Sequence, residues 1–123
     1  MIGNSRFLGG GTIKARYHVL QLSLKLNSLE LNPGDADAYG NRGNAWRKKG
    51  NYNRAISNYN KAIELNPGDA KAYYFRAVVY KKLGQSRKVA GDYNNYLRIN
   101  GNKDGIADQV KQKIRNLGYT PLY

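Results

Sequence analysis

Residues 36–69 read ADAYGNRGNAWRKKGNYNRAISNYNKAIELNPGD, and this stretch decides the fold. Its last four residues, Asn66-Pro67-Gly68-Asp69, repeat Asn32-Pro33-Gly34-Asp35, which stand 34 residues earlier. A period of this length is typical of stacked helix-turn-helix repeats. The period continues into residues 70–103, where nine positions keep the residue found in 36–69. The sequence therefore predicts an all-α chain with two whole repeats, at 36–69 and 70–103.

Capping and breaking residues place the helices within each repeat. The Asp35 carboxylate is suited to accept the first backbone N–H groups of a helix over 36–49, which Gly50 ends. A second helix is predicted over 52–65, because the proline and glycine of residues 66–68 cannot continue it. The equivalent helices are predicted over 70–83 and 86–99, with Gly84 between them.

The segments before the first whole repeat are less regular. Residues 1–12 are expected to be a flexible tail, since their Gly9-Gly10-Gly11 lacks the Lys-Ser/Thr of a phosphate loop. In residues 13–35 the leucines fit both a strand and a helix, and alignment with 63–65 favours a helix, the second half of a partial repeat. The leucine face of residues 20–31 is expected to be a docking surface for another chain or domain, and the further hypothesis is that it packs against another copy of this chain.

The segment after the second repeat predicts a capping helix within 104–118, followed by a tail at 119–123. Ile106, Val110, Ile114 and Leu117 form one apolar stripe, which would cover the open end of the stack. Residues 100–111 resemble a calcium loop, but the closing position is Lys111 and a cation there would repel Ca²⁺. Asp104 is expected instead to belong to the cap of this last helix.

Residues 36–103 resemble the tetratricopeptide repeat (TPR) family. The matching residues have the family's spacing of aromatic, small and proline positions: Tyr39, Gly43, Trp46, Ala55, Tyr59, Ala62 and Pro67. Arg42 departs from the pattern, since leucine is usual there. The second repeat drifts further, with Ala77 at the Gly43 position and Gly101 at the Pro67 position. The resemblance implies a right-handed superhelical stack.

The resemblance also implies a protein-interaction scaffold that binds a peptide segment in a concave groove lined by the first helix of each pair. The predicted groove residues are Asn41, Asn44, Arg47, Lys48, Lys71, Tyr74, Val78, Lys81 and Lys82. Some family members clamp a partner's terminal carboxylate, and Asn41 and Lys71 match positions of that clamp, although Phe75 replaces its arginine. The cations near residues 47–48 and 81–82 also fit the negative ends of helix dipoles. Tyrosines such as Tyr74 also fit packing positions.

Composition bounds the function. The formal charge of +13 favours acidic partners, so the peptide is expected to be acidic, although the charge also serves solubility. The alternative function is electrostatic binding of RNA or another polyanion. With no cysteine and a single histidine, His18, no catalytic group set can be assembled, so no enzyme activity, metal or cofactor is expected. No apolar run is long enough to span a bilayer, and a cytoplasmic setting is the default expectation.

Overall fold

The computed structural model describes residues 33–123, which form five α-helices and no strand. These helices are α1 (Ala36–Lys48), α2 (Tyr52–Leu65), α3 (Ala70–Lys82), α4 (Ser86–Asn100) and α5 (Ala107–Asn116). The all-α prediction is confirmed, and each of the first four helices ends within one residue of its predicted limit. The predictions for residues 1–12 and 13–32, including the leucine face at 20–31, fall outside the described residues.

Side-chain caps explain where three of the helices begin. Asp35 Oδ1 accepts the backbone N–H of Asp37 at 2.9 Å and of Ala38 at 3.3 Å, so it caps α1 as the sequence predicts. Asp69 has the same role at α3, where it accepts the N–H of Ala72 at 3.2 Å. Asn51 caps α2, accepting the N–H of Arg54 at 3.2 Å. Gly50 and Gly84 have φ values of 82° and 74°, so each can turn the chain from one helix to the next.

The helices pack as two antiparallel pairs with a cap. Helix α1 lies on α2 and α3 lies on α4, while α2 contacts α3, α1 contacts α3, and α5 covers α4. Gly43 permits the close approach of α1 and α2, because a Cβ there would lie 2.7 Å from the Tyr59 ring. Val110 and Ile114 of α5 are fully buried in the cluster that contains Tyr93. The apolar stripe predicted for the last segment therefore closes the stack.

A buried ion pair joins α3 to α4. The Arg76 guanidinium donates to both carboxylate oxygens of Asp92, at 2.9 and 2.7 Å, and to Asn60 Oδ1 of α2 at 2.7 Å. Arg76 is equivalent to Arg42 in the first repeat, and Asp92 is equivalent to Asn58. Arg42 Nε is buried without a hydrogen-bond partner. Both repeats therefore have an arginine where the TPR pattern has leucine, but only the arginine of the second repeat is paired with a carboxylate.

The start of α5 corrects the prediction for Asp104. The helix begins at Ala107 after Ile106, and no side chain of the N-cap residue bonds to its first turn. Asn102 Oδ1 accepts the N–H of Ala107 at 3.1 Å, while Asp104 Oδ2 accepts the Tyr96 hydroxyl at 2.9 Å. Because Asp104 bonds to a side chain of α4, it fixes the turn before α5 and does not cap the helix.

Candidate functional site

Two neighbouring depressions lie along the face formed by the first helices of the two repeats. The first has a volume of about 310 Å³ and is lined by Asp37, Gly40, Asn41, Asn44, Tyr59, Asp69, Lys71, Ala72 and Phe75. The second has a volume of about 290 Å³ and is lined by Lys71, Tyr74, Phe75, Tyr96, Asp104 and Ile106. Because Lys71 and Phe75 line both depressions, the two form one continuous surface, which we call the groove.

Hydrogen bonds hold the amide of Asn44 in the first depression. The Tyr59 hydroxyl donates to Asn44 Oδ1, and Arg47 Nε donates to the Tyr59 oxygen at 3.3 Å. Burial raises the pKa of Tyr59, so the phenol stays protonated and remains a donor. The Asn44 amide nitrogen bonds to no described residue and remains available to an acceptor on a ligand.

Arg47 also connects the two repeats. Its guanidinium lies over the Phe75 ring of α3, 5.0 Å from the ring centroid. Phe75 in turn meets Tyr74 edge-on, with 5.6 Å between the centroids. A cation over an aromatic ring is electrostatically attracted to the ring face. Arg47 therefore supports the wall of the groove from behind and does not line either depression.

Aromatic side chains form the wall of the second depression. Tyr74 lies 5.4 Å from Tyr96 and 5.6 Å from Tyr93, measured between ring centroids. Tyr96 is fixed at its hydroxyl, which donates to Asp104 and accepts from Asn100 Nδ2 at 3.0 Å. Burial, with the Asp104 carboxylate beside it, raises the pKa of Tyr96 to about 12. This wall presents an aromatic surface in which the Tyr96 hydroxyl is already hydrogen-bonded.

The charges of the groove are mixed. Lys71 is exposed, and it forms no ion pair or hydrogen bond with any other residue of the described range 33–123. Three carboxylates, those of Asp37, Asp69 and Asp104, line the same surface. Those of Asp69 and Asp104 already accept hydrogen bonds from Ala72 and Tyr96. The groove thus offers one unpaired cation at its centre between acidic ends.

The structure brings together part of the predicted site. Asn41, Asn44 and Lys71 line the first depression, and Lys71 and Tyr74 line the second. The exposed lysines Lys48, Lys81 and Lys82 line neither of them, and Val78 is half-buried on α3. Binding by any of these residues stays a prediction.

Sequence reasoning did not assign Tyr59, Phe75, Tyr96 and Asp104 to the site. Tyr59 and Tyr96 were indistinguishable from packing tyrosines, since both are buried residues that expose one edge to the groove. For Phe75 a signal was present, because it occupies a position where the clamp of related proteins has arginine. Asp104 follows Tyr96 by eight residues, and its carboxylate accepts the Tyr96 hydroxyl. This contact could not be predicted from the spacing, because it depends on the conformation of the turn between α4 and α5.

The described part of the chain contains no cluster of three or more His, Asp or Glu side chains that could hold a metal ion. None of its helices has the length and apolar character that crossing a bilayer requires.

Comparison with known proteins agrees with this architecture. A family model for the TPR repeat matches residues 43–84, which include the end of α1, all of α2 and all of α3. Residues 43–84 therefore match the tetratricopeptide repeat, within a described range that has an all-α helical-repeat fold. No curated protein sequence matches this chain.

Solved TPR structures share the fold. The TPR2B domain of yeast Sti1 in complex with pHsp70 is similar at 20% identity and a TM-score of 0.73, with 94% of each chain covered. The first TPR of Spaghetti (RPAP3), bound to the HSP90 peptide SRMEEVD, is similar at 20% identity and a TM-score of 0.72, covering 89% of this chain and 87% of the other. The Yersinia enterocolitica type III secretion chaperone SycD, with a peptide of the translocator YopD, has 12% identity and a TM-score of 0.76 over 95% and 92% of the two chains.

Proposed function

We propose that this chain is a non-enzymatic scaffold whose groove binds an extended peptide segment of a partner protein. The observation that carries the proposal is the continuity of the two depressions through Lys71 and Phe75. A groove of this kind offers fixed polar groups at one end and an aromatic wall at the other. An extended chain can use both, with backbone groups and side chains placed in alternation along it.

Similar folds with bound peptides support this proposal. The complexes of SycD, of Sti1 and of Spaghetti each contain a segment or peptide of another protein. The peptide SRMEEVD in the last of these has carboxylates in its last four residues. These likenesses support the class of ligand, since all three chains share the fold that forms the groove.

The charges of the groove narrow the kind of peptide. A peptide with many carboxylates would meet Asp37, Asp69 and Asp104 as well as Lys71, and like charges repel. We therefore propose that the peptide places one carboxylate at Lys71, with the Asn41 and Asn44 amides beside it. An apolar side chain next to that carboxylate would then lie on Tyr74 and Phe75. We therefore expect the peptide to need one carboxylate, at the position that contacts Lys71, and not an acidic sequence throughout.

Selection from a library of random heptapeptides tests the proposal. Peptides enriched on the wild-type chain should contain Asp, Glu or a free C-terminus next to an apolar residue. Their affinity should fall at least about tenfold in Lys71→Glu, because a favourable charge contact becomes a repulsive one. Lys71 is exposed, so the change should leave the melting temperature nearly unaltered.

Arg115→Glu is the matched control, since it makes the same charge change at an exposed residue of α5 outside the groove. Equal losses of affinity in Lys71→Glu and Arg115→Glu would show that net charge, and not the groove, governs binding. Failure to enrich any peptide would also contradict the proposal.

A further inference from the structure

A second surface of the stack carries positive charge without carboxylates. It lies where α1 turns into α2 and α3 turns into α4. No Asp or Glu occurs in residues 38–63 or 70–91. Seven exposed cations around the two turns define what we call the basic edge: Lys48, Lys49, Arg54, Lys81, Lys82, Arg87 and Lys88.

The two turns form one surface. A depression of about 390 Å³ is lined by residues 49–53 of the first turn together with Leu83 of the second. Because residues of both turns line one depression, the cations of the two repeats flank the same surface. Most carboxylates of the described range lie elsewhere, at the opposite ends of the same helices or near α5, and Asp92 is buried against Arg76.

No ion pair among the described residues neutralises the basic edge. The ion pairs within residues 33–123 are Lys61–Glu64 and Arg76–Asp92, and neither involves these seven cations. Aromatic rings hold some of the cations in place. Arg54 lies 4.6 Å from the Trp46 ring centroid, and Lys88 lies 5.3 Å from that of Tyr80, the equivalent aromatic residue of the second repeat. The side chains are therefore positioned while their charges remain available.

Helix-end electrostatics does not explain the whole set. Lys48, Lys81 and Lys82 end helices, where the helix dipole favours cations. Arg54 and Lys88 lie in the first turns of α2 and α4, where the dipole disfavours them and where neither helix has an acidic residue. Cations placed against the dipole at equivalent positions of both repeats point to an anionic ligand.

We propose that the basic edge binds single-stranded nucleic acid. The cations would contact successive phosphates, and an unstacked base would enter the depression against the Tyr52 ring, with the Asn53 amide available to its edge. A bilayer surface fits this site less well, because Leu83 is the exposed large apolar side chain there and a concave depression meets a flat surface poorly. This function uses a surface separate from the groove and does not depend on peptide binding.

Fluorescence anisotropy with a labelled oligouridylate tests the proposal. The variant K48Q/K49Q/K81Q/K82Q should bind at least about tenfold more weakly than wild type at low salt, and its plot of log K against log salt should flatten by about 0.7 for each phosphate that the protein no longer neutralises. The matched control K103Q/K111Q/K113Q/R115Q removes the same charge from the α5 region and should weaken binding less than about threefold. Circular dichroism checks that both remain helical.

A variant that keeps all charges guards against a folding failure. Tyr52→Leu retains an apolar side chain at the start of α2 but removes the ring, and it should weaken binding at least about fivefold because the base can no longer stack. Equal weakening in the two glutamine variants would overturn the proposal, as would absence of binding at low salt. Tighter binding of duplex DNA, of phosphatidylserine vesicles or of polyglutamate than of the oligouridylate would also overturn it.

Discussion

Arg76 and Arg42 occupy equivalent positions of the two repeats but have different surroundings. Arg76 is satisfied by Asp92 and Asn60, whereas Arg42 Nε has no hydrogen-bond partner. A buried polar group without a partner costs roughly 1 to 3 kcal/mol of folding free energy. The sequence contained a clue to this arrangement, because an arginine at a position that TPR units usually fill with leucine needs hydrogen-bond acceptors when it is buried. Its partner could not be identified from the period alone, since Asp92 has no copy in the first repeat.

Asn58→Asp should supply the missing carboxylate. Asn58 and Arg42 line the same depression, and Asn58 donates to the backbone oxygen of Arg54 at 2.7 Å. A carboxylate at this position would pair with the Arg42 guanidinium, as Asp92 pairs with Arg76. The free energy of unfolding should rise by about 1 kcal/mol, measured by urea denaturation. Asn58→Ala is the control and should not stabilise; equal stability of the two variants would contradict this account of Arg42.

Tyr93 and Tyr96 should make the protein sensitive to alkaline pH. Burial raises the pKa of each from 10.0 to about 12. The folded state thus holds these protons more tightly than the unfolded state does. Their contribution to stability is intact below pH 10 and is lost as the pH rises from 10 to about 12.

The near-ultraviolet absorbance of phenolate follows this titration. In the native protein part of the absorbance change should appear only near pH 12, whereas in denaturant all tyrosines should titrate near pH 10. Tyr96→Phe should reduce the late component. Identical titration curves in native buffer and in denaturant would contradict the burial of these two phenols.

At the level of the helices, α4 differs from α1, α2 and α3 because no side chain caps its first turn. Asn51 caps α2, but Gln85, which is equivalent to it in the second repeat, makes no side-chain bond to the first turn of α4. Gln85→Asn should therefore stabilise the protein by about 1 kcal/mol, seen as a raised melting temperature. The reciprocal change Asn51→Gln should lower it by a similar amount. A Gln85→Asn variant no more stable than wild type would show that water already serves the start of α4.

The helices themselves were predictable because local chemistry fixes their ends. Asp35, Gly50 and Asp69 act within a few residues of the backbone groups that they satisfy, so the sequence is enough to place them. The turn before α5 was predicted wrongly because its contacts are not local to the helix. Asp104 bonds to Tyr96 of the preceding helix, and Asn102 takes the position at the start of α5.

At the scale of the whole molecule, two surfaces with different chemistry result from one stack. The groove combines amides, aromatic rings and a single unpaired lysine, whereas the basic edge combines cations without carboxylates. The period of the sequence predicts that the first helices of both repeats share a face, and hence that Asn41, Asn44, Lys71 and Tyr74 approach one another. It does not predict which cations line that face, because a shift of one residue along a helix turns a side chain by about 100°.

The most direct test of the central claim is a map of backbone amide chemical shifts while a selected heptapeptide is added. If the groove is the peptide-binding site, the largest changes should occur at Asn41, Asn44, Lys71, Tyr74 and Phe75, and they should vanish in Lys71→Glu. Changes confined to the basic edge or to α5, with the groove resonances unmoved, would contradict it.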